Sequence, residues 1–361
     1  MKCKIYLSDE GFGHLVRQEA IIKQLDLIQK IDITIQTKEK IKFAREKFKE
    51  KAKYIEKHNG IQTTKTASGK LNVVKTINTF KKYISELDDI IAEEIEEVKK
   101  NNYDFIISDS VPHAHYVAHK CNIPSFGVFH FDWAWFCRNS IFVNDSIINR
   151  IEQLYESSTM LYTPPFCPKS IIKRYKNIKE VSFVINSFDK IDIEDTPRKK
   201  VLIMDNGTSN LSQVIIANLD NISMLDKYIF YIDSKLVKQE ADNIKKVDGL
   251  KKIHSLIPHV DLVIARAGFN TLTESLITKT PGLFVSESMN AEIRHNINCI
   301  TDKDLCGTIS PDNFMNNFLD CFSKFMKVDY ERISKNLKKS NYNSNGAKEI
   351  AKDIIRIVNG E

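Results

Sequence analysis

Residues 261–274 read DLVIARAGFNTLTE, and their reading decides the fold. Four apolar positions, Leu262 to Ala265, are followed by a break at Arg266-Ala267-Gly268 and then by a segment with helical spacing. A short apolar run closed by a turn is the pattern of a parallel strand buried on both faces. Gly268 removes a side chain where a ligand would approach the backbone. Asn270, Thr271 and the first N–H groups of the new helix can donate to an anion beside the Arg266 cation. Glu274, one turn into the helix, can accept from two neighbouring hydroxyls. A plain helix start with polar caps explains Asn270 and Thr271 but not the ordered set.

The same strand–turn–helix pattern recurs on both sides. KKVLIMDNGTSN (199–210) is a strand, a turn at Asn206-Gly207-Thr208-Ser209 and a helix start, while KYIFYID (227–233) and PGLFV (281–285) are further strands. In the first half, KIYLS (4–8), DITIQT (32–37), DFIISD (104–109) and SFGVFHF (125–131) read as strands. Between them lie an amphipathic helix from Leu15, a lysine-rich helix over KIKFAREKFKEKAKYIEKH (40–58), and one long helical stretch over 73–101. Around residues 188–199 the chain is polar, carries Pro197 and has no periodicity, as a linker would. The expectation is an α/β chain of two doubly wound Rossmann-like domains facing a cleft, with ligands beyond the carboxyl ends of the strands. The expected boundaries are 1–190 and 198–345, with the helix of 346–361 crossing back to the first domain.

Length agrees with two domains, since 361 residues exceed what one core usually holds. No stretch approaches the roughly 20 apolar residues of a membrane span, and the first residues lack a signal-peptide pattern. Seven scattered cysteines without a CxxC pair argue for reduced thiols in the cytoplasm, against a disulfide scaffold or zinc site. The net charge of +6, from 53 basic and 47 acidic residues, is a weak bias. It reads mainly as solvated helix faces, with contact to the inner membrane face left open. No aromatic-basic interleaving points to nucleic acid.

The glycine turn after the first strand, Gly11-Phe12-Gly13-His14, has Arg17 one helical turn on. It departs from GxGxxG, because Val16 takes the third glycine's place. His14 is a candidate general base, the alternative being a histidine that caps the turn. Asp109, closing DFIISD, could orient His14 as an aspartate orients a triad histidine, or could merely cap the helix after Ser110-Val111-Pro112. His113, beside it, is a candidate acceptor contact. His113, His115 and His119 lack the carboxylate or thiol that would complete a zinc signature. Alternation along FHFDWAWF puts Trp133 and Trp135 on one face, as core or, less often, as a sugar- or lipid-stacking wall. No DxD arrangement suited to a divalent ion is present, so no metal is expected.

The segment from Arg266 to Glu274 resembles the donor-binding signature of GT-B glycosyltransferases, both the plant-type enzymes and the MurG type. The resemblance implies phosphate contacts for Arg266, Asn270 and Thr271 around Gly268, and a ribose contact for Glu274. It also makes the glycine turn with Gly11, Gly13 and Arg17 an acceptor-side loop, and Gly207, Thr208 and Ser209 a second loop near the donor diphosphate. Asn206 stands where a glycine is usual in that loop. GFGHLVR, SDSVPHAHYVAHKCNIPSFGVFHFDWAW and LYTPPFCP are similar to the glycosyltransferase-like half of plant L-arabinokinases. Where the donor sugar is usually gripped by an acidic residue and Gln, this chain has Arg294-His295, with Asn298 three residues on. The implied activity is transfer from a nucleotide-diphosphate sugar, UDP type favoured, to a hydroxyl of a glycan, lipid-linked or small-molecule acceptor. It would be inverting, metal-independent and without a cofactor. A nucleotide-sugar hydrolase with the same G-x-G-H loop and a non-catalytic nucleotide-sugar-binding protein are the alternatives.

Overall fold

A computed structural model describes residues 1–66, 70–205, 209–237, 241–287 and 289–361. The chain divides into two compact units, one of Met1–Thr64, Leu71–Asn186 and Asn343–Glu361, the other of Lys65–Lys70 and Ser187–Tyr342.

The first unit holds seven parallel strands: β1 (Lys2–Leu7), β2 (Asp32–Gln36), β3 (Ala52–Ile55), β4 (Phe105–Asp109), β5 (Ser125–Val128), β6 (Met160–Thr163) and β7 (Ile178–Glu180). Their order is β3-β2-β1-β4-β5-β6-β7. Alternation along β1 sends Cys3, Ile5 and Leu7 into an apolar layer with Ile21 and Leu25 of the helix Gly13–Ile28 and Ile350 and Ile354 of the helix Gly346–Val358. The last helix carries its apolar residues at helical spacing, which explains why it packs along one stripe. The other face of β1 is polar: Lys4, fully buried, donates to Glu94 at 2.7 Å, and Tyr6 donates to the same carboxylate at 2.6 Å. Attraction of Lys4 overcomes the cost of burying Glu94 and holds its carboxyl well below the usual range.

The second unit holds six parallel strands: β8 (Lys199–Met204), β9 (Tyr228–Asp233), β10 (Ile244–Val247), β11 (Leu262–Arg266), β12 (Gly282–Val285) and β13 (Gly307–Ile309), in the order β10-β9-β8-β11-β12-β13. Both sheets are thus doubly wound, each with a reversal of strand order at its middle.

The secondary-structure expectations need correction at four places. The lysine-rich helix stops at Phe48, a 3-10 turn follows at Lys49–Lys51, and Ala52–Ile55 is an edge strand rather than helix. Lysine-rich flanks disguised that strand, as charged edges often do. The stretch 73–101 is two helices, Val73–Ser85 and Leu87–Asn101, parted at Glu86. The strand expected over 125–131 ends at Val128. Trp133 and Trp135 lie on a short helix capped by Asp132, which accepts from the Trp135 N–H. Extended alternation therefore does not apply, and both indoles are buried in the interior. Among the described residues no helix is long and apolar enough to cross a membrane. All seven cysteines are free thiols.

Candidate functional site

The order of the first sheet reverses between β1 and β4, so the turn after β1 and the end of β4 lie side by side. Leu7 pairs with Asp109, and the Ser8 N–H donates to the Asp109 carbonyl at 3.2 Å. This register brings the helix Gly13–Ile28 over the Asp109 carboxylate. His14 Nδ1 lies 2.6 Å from Asp109 Oδ1. Arg17 donates through Nε to Oδ2 at 3.0 Å and through Nη2 to Oδ1, and Gln18 donates to Oδ2 at 2.7 Å. The carboxylate is completely buried, whereas the His14 side chain keeps 13% of its surface exposed.

Burial by itself would raise the Asp109 carboxyl, but Arg17 and His14 outweigh it and hold it well below the usual range. In the neutral imidazole, an ionised Asp109 favours the tautomer with the proton on His14 Nδ1, and Nε2 then carries the lone pair. Arg17 Nη2 also lies 3.1 Å from Nδ1, so it shares the carboxylate rather than feeding the imidazole. Asp109 does not cap the next helix: Pro112 occupies that cap position without a side-chain bond, and Ser108 Oγ accepts from the Val111 N–H at 3.2 Å.

The glycines act differently from expectation. Gly11 and Gly13 are not at positive φ, so no left-handed turn is used. Gly11 is exposed, with nothing within 4 Å of a would-be Cβ. What it offers is open backbone. Arg17 is buried, with its guanidinium spent on Asp109. His113 is 1% exposed, shares a 3.2 Å hydrogen bond between Nδ1 and the Tyr83 hydroxyl, and packs edge-on against Tyr6. Burial pushes it down to about 4, so it is neutral. His115 is also buried, its Nδ1 3.1 Å from Ser125 Oγ.

In the second sheet the order reverses between β8 and β11, with Met204 beside Ala265. Arg266 ends β11, and the Gly268 N–H turns back to the Arg266 carbonyl at 2.8 Å. The helix Phe269–Thr278 starts at once, with Gly268 as its cap and no side-chain bond from it. Asn270 is half-buried and Thr271 buried in the first turn. Arg266 donates from Nε to Glu287 Oε2 at 2.9 Å. Glu274, 4% exposed, takes His254 Nδ1 at 2.6 Å. Asn206, Gly207 and Thr208 lie outside the described residues, as does the side chain of Ser209, whose backbone opens the helix Ser209–Ala217.

Asn290 caps the helix Ala291–Thr301, on which Arg294 and Asn298 are exposed and His295 half-buried, its Nε2 3.5 Å from Cys299 Sγ. Buried Asn296 of the same helix donates to the Ala267 carbonyl at 3.1 Å and ties it to the loop of Arg266 and Gly268.

Four functional-site neighbours escaped the sequence reading, one of them Gln18, which donates to Asp109. Glu287 and Asn296 follow β12, and their signal was a polar residue placed just past a strand end and on the inner face of the next helix. His254, on the helix Leu250–Ser255, carried no motif of its own.

No protein-family model matches the chain, and no curated protein matches it in sequence. Solved structures match over nearly its whole length. The glycosyltransferase SnogD from Streptomyces nogalater shares 12% identity over 99% of each chain, with a TM-score of 0.65. A UDP-glucosyltransferase from Polygonum tinctorium capable of glucosylating indoxyl shares 11% identity over 100% of this chain and 99% of its own, with a TM-score of 0.70. The spinosyn rhamnosyltransferase SpnG, solved with thymidine diphosphate, shares 11% over 98% of this chain and 100% of its own, with a TM-score of 0.67. At such identities the likeness establishes the fold, which is GT-B.

Proposed function

We propose that this protein is a glycosyltransferase that moves a sugar from a nucleotide-diphosphate sugar to an acceptor hydroxyl. The observation that carries the reading is the 2.6 Å contact of His14 Nδ1 with buried, ionised Asp109 at the reversal of the first sheet. That contact leaves Nε2 to take the acceptor proton. As the acceptor oxygen bonds to the anomeric carbon, the bond from that carbon to the diphosphate breaks, and the nucleoside diphosphate leaves with the electron pair. A single displacement of this kind inverts the anomeric centre. Arg266 and the N-terminus of the helix Phe269–Thr278 meet the charge on the leaving group without a metal. Gly207, Thr208 and Ser209 are assigned to the same diphosphate, and Arg294, His295 and Asn298 to the donor sugar. Gly11 and Gly13 open the acceptor side; Arg17 serves it through Asp109, and buried His113 from behind.

The fold shared with known glycosyltransferases supports this reading. UDP is the first nucleotide to try, because one structural neighbour is a UDP-glucosyltransferase; thymidine diphosphate is the second, because another neighbour holds it. The free thiols support a reducing, cytoplasmic setting.

The test is product formation from a panel of nucleotide sugars, with glycan, lipid-linked and small-molecule acceptors, by wild type and His14→Ala. Loss of about 10²- to 10⁴-fold in kcat is expected of His14→Ala, with nucleotide affinity kept. Unchanged turnover would remove His14 from the chemistry. Fast donor consumption without any acceptor would make the protein a hydrolase instead. Binding without turnover would make it a nucleotide-sugar-binding protein.

A further inference from the structure

His254 and Glu274 come from different βα segments of the second unit, one on the helix Leu250–Ser255 that follows β10 and the other on the helix Phe269–Thr278 that follows β11. Their side chains meet at 2.6 Å, between His254 Nδ1 and Glu274 Oε2. The carboxylate side chain is 6% exposed and the imidazole 29%. A carboxylate so enclosed requires a donor, and His254 supplies it. Among the described residues, Oε1 of Glu274 accepts no hydrogen bond, yet it is not sealed from solvent. A carboxylate has about four lone-pair sites, and one imidazole N–H occupies one of them. The remainder can accept from two hydroxyls at once. The rigid helix, entered directly from β11, places this acceptor roughly 8 Å along from the first residue of the anion-binding turn.

We infer that His254 is a positioning residue that locks the Glu274 carboxylate to read a vicinal diol, so that the donor is a ribonucleotide rather than a 2′-deoxyribonucleotide. This rests on the donor-site reading above and adds to it a partner residue and a class of nucleotide. Holding Oε2 prevents the carboxylate from turning away when one hydroxyl is missing. A site built to receive both hydroxyls then has an unmatched buried acceptor against a deoxyribose, which is a larger penalty than the loss of one surface contact. Without His254 the carboxylate can turn toward solvent, and the sugar moiety is read less strictly.

The experiment is calorimetric titration of wild type, His254→Ala and His254→Asn with ADP, GDP, CDP and UDP and with their 2′-deoxy counterparts. The Asn side chain can place an N–H donor close to where Nδ1 stands. Wild type should bind its preferred ribonucleoside diphosphate at least about tenfold more tightly than the deoxy form. That ratio should collapse in His254→Ala, return in His254→Asn, and do so with thermal unfolding little changed across the three. A purely structural role would lower stability and affinity together and leave the ratio alone. Tight binding of both forms by wild type, or an undiminished ratio in His254→Ala, overturns this inference and leaves the donor site standing. Absence of binding by wild type to every diphosphate overturns the donor site and this inference with it.

Discussion

The hydroxyl of Tyr162 donates to the carboxylate of Asp353 at 2.9 Å, joining β6 to a helix 191 residues further along the chain. Lys179 reaches the same carboxylate at 3.1 Å and Arg356 at 3.0 Å. One turn earlier, Glu349 accepts from the Ser182 N–H at 2.9 Å and hydroxyl at 2.7 Å. At the start of the helix, a Cβ on Gly346 would stand 2.0 Å from the Ser182 carbonyl oxygen. The return of the helix therefore depends on a backbone contact only glycine permits. Gly346→Ala should cost on the order of 3 kcal/mol in urea unfolding, because backbone must move. Tyr162→Phe should cost about 1 kcal/mol, the worth of one hydrogen bond whose acceptor keeps other partners. A Gly346→Ala protein as stable as wild type would contradict this packing.

Arg17 is a test of geometry against charge. Its guanidinium grips both Asp109 oxygens, and a lysine would keep the charge but lose the fork. Arg17→Lys should lower kcat at least about tenfold, through a less firmly held His14, with nucleotide affinity unchanged. Equal kcat in the two proteins would show that Gln18 and the backbone suffice to orient the carboxylate.

His113 and His115 predict how stability follows pH. Burial pushes the first down to about 4 and the second to about 3. In the unfolded chain both titrate near 6.5. Between those values the unfolded state binds more protons, so stability is fully present above about pH 6.5 and falls as pH is lowered. Each histidine should cost about 2 kcal/mol by pH 5. Denaturant midpoints at pH 7.5 and pH 5 measure it, and a His113→Gln, His115→Gln double variant should flatten the dependence. A slope unchanged in that variant would assign it to other groups.

Most interior strands of both sheets were legible because burial on two faces leaves continuous apolar runs, as in DFIISD and DLVIA, but the interior strand Met160–Thr163 was missed. Edge strands were not legible: Ala52–Ile55 lies among lysines, and Ile244–Val247 carries two of them. His14 and Asp109 could be picked out by position, since each adjoins the carboxyl end of a strand. Their contact could not, because it depends on β1 lying beside β4, a choice of neighbours that no local pattern encodes. The same holds for His254 and Glu274, whose meeting depends on the packing of two helices. Arg17 illustrates the converse, a residue placed in the right loop by spacing whose partner only the fold reveals.

The first unit is made of three pieces of chain, with Lys65–Lys70 and Ser187–Tyr342 of the second intervening. Ile350 and Ile354 complete its apolar layer against β1 and the helix Gly13–Ile28. During synthesis at roughly 5–20 residues per second, the strands of the first unit emerge early but lack that cover until residues beyond 346 are made. The second unit, begun later, has its strands and helices in hand sooner. The usual order of domain completion on the ribosome is thereby reversed, and the nascent first sheet must wait with part of one apolar face uncovered beside the helix Gly13–Ile28.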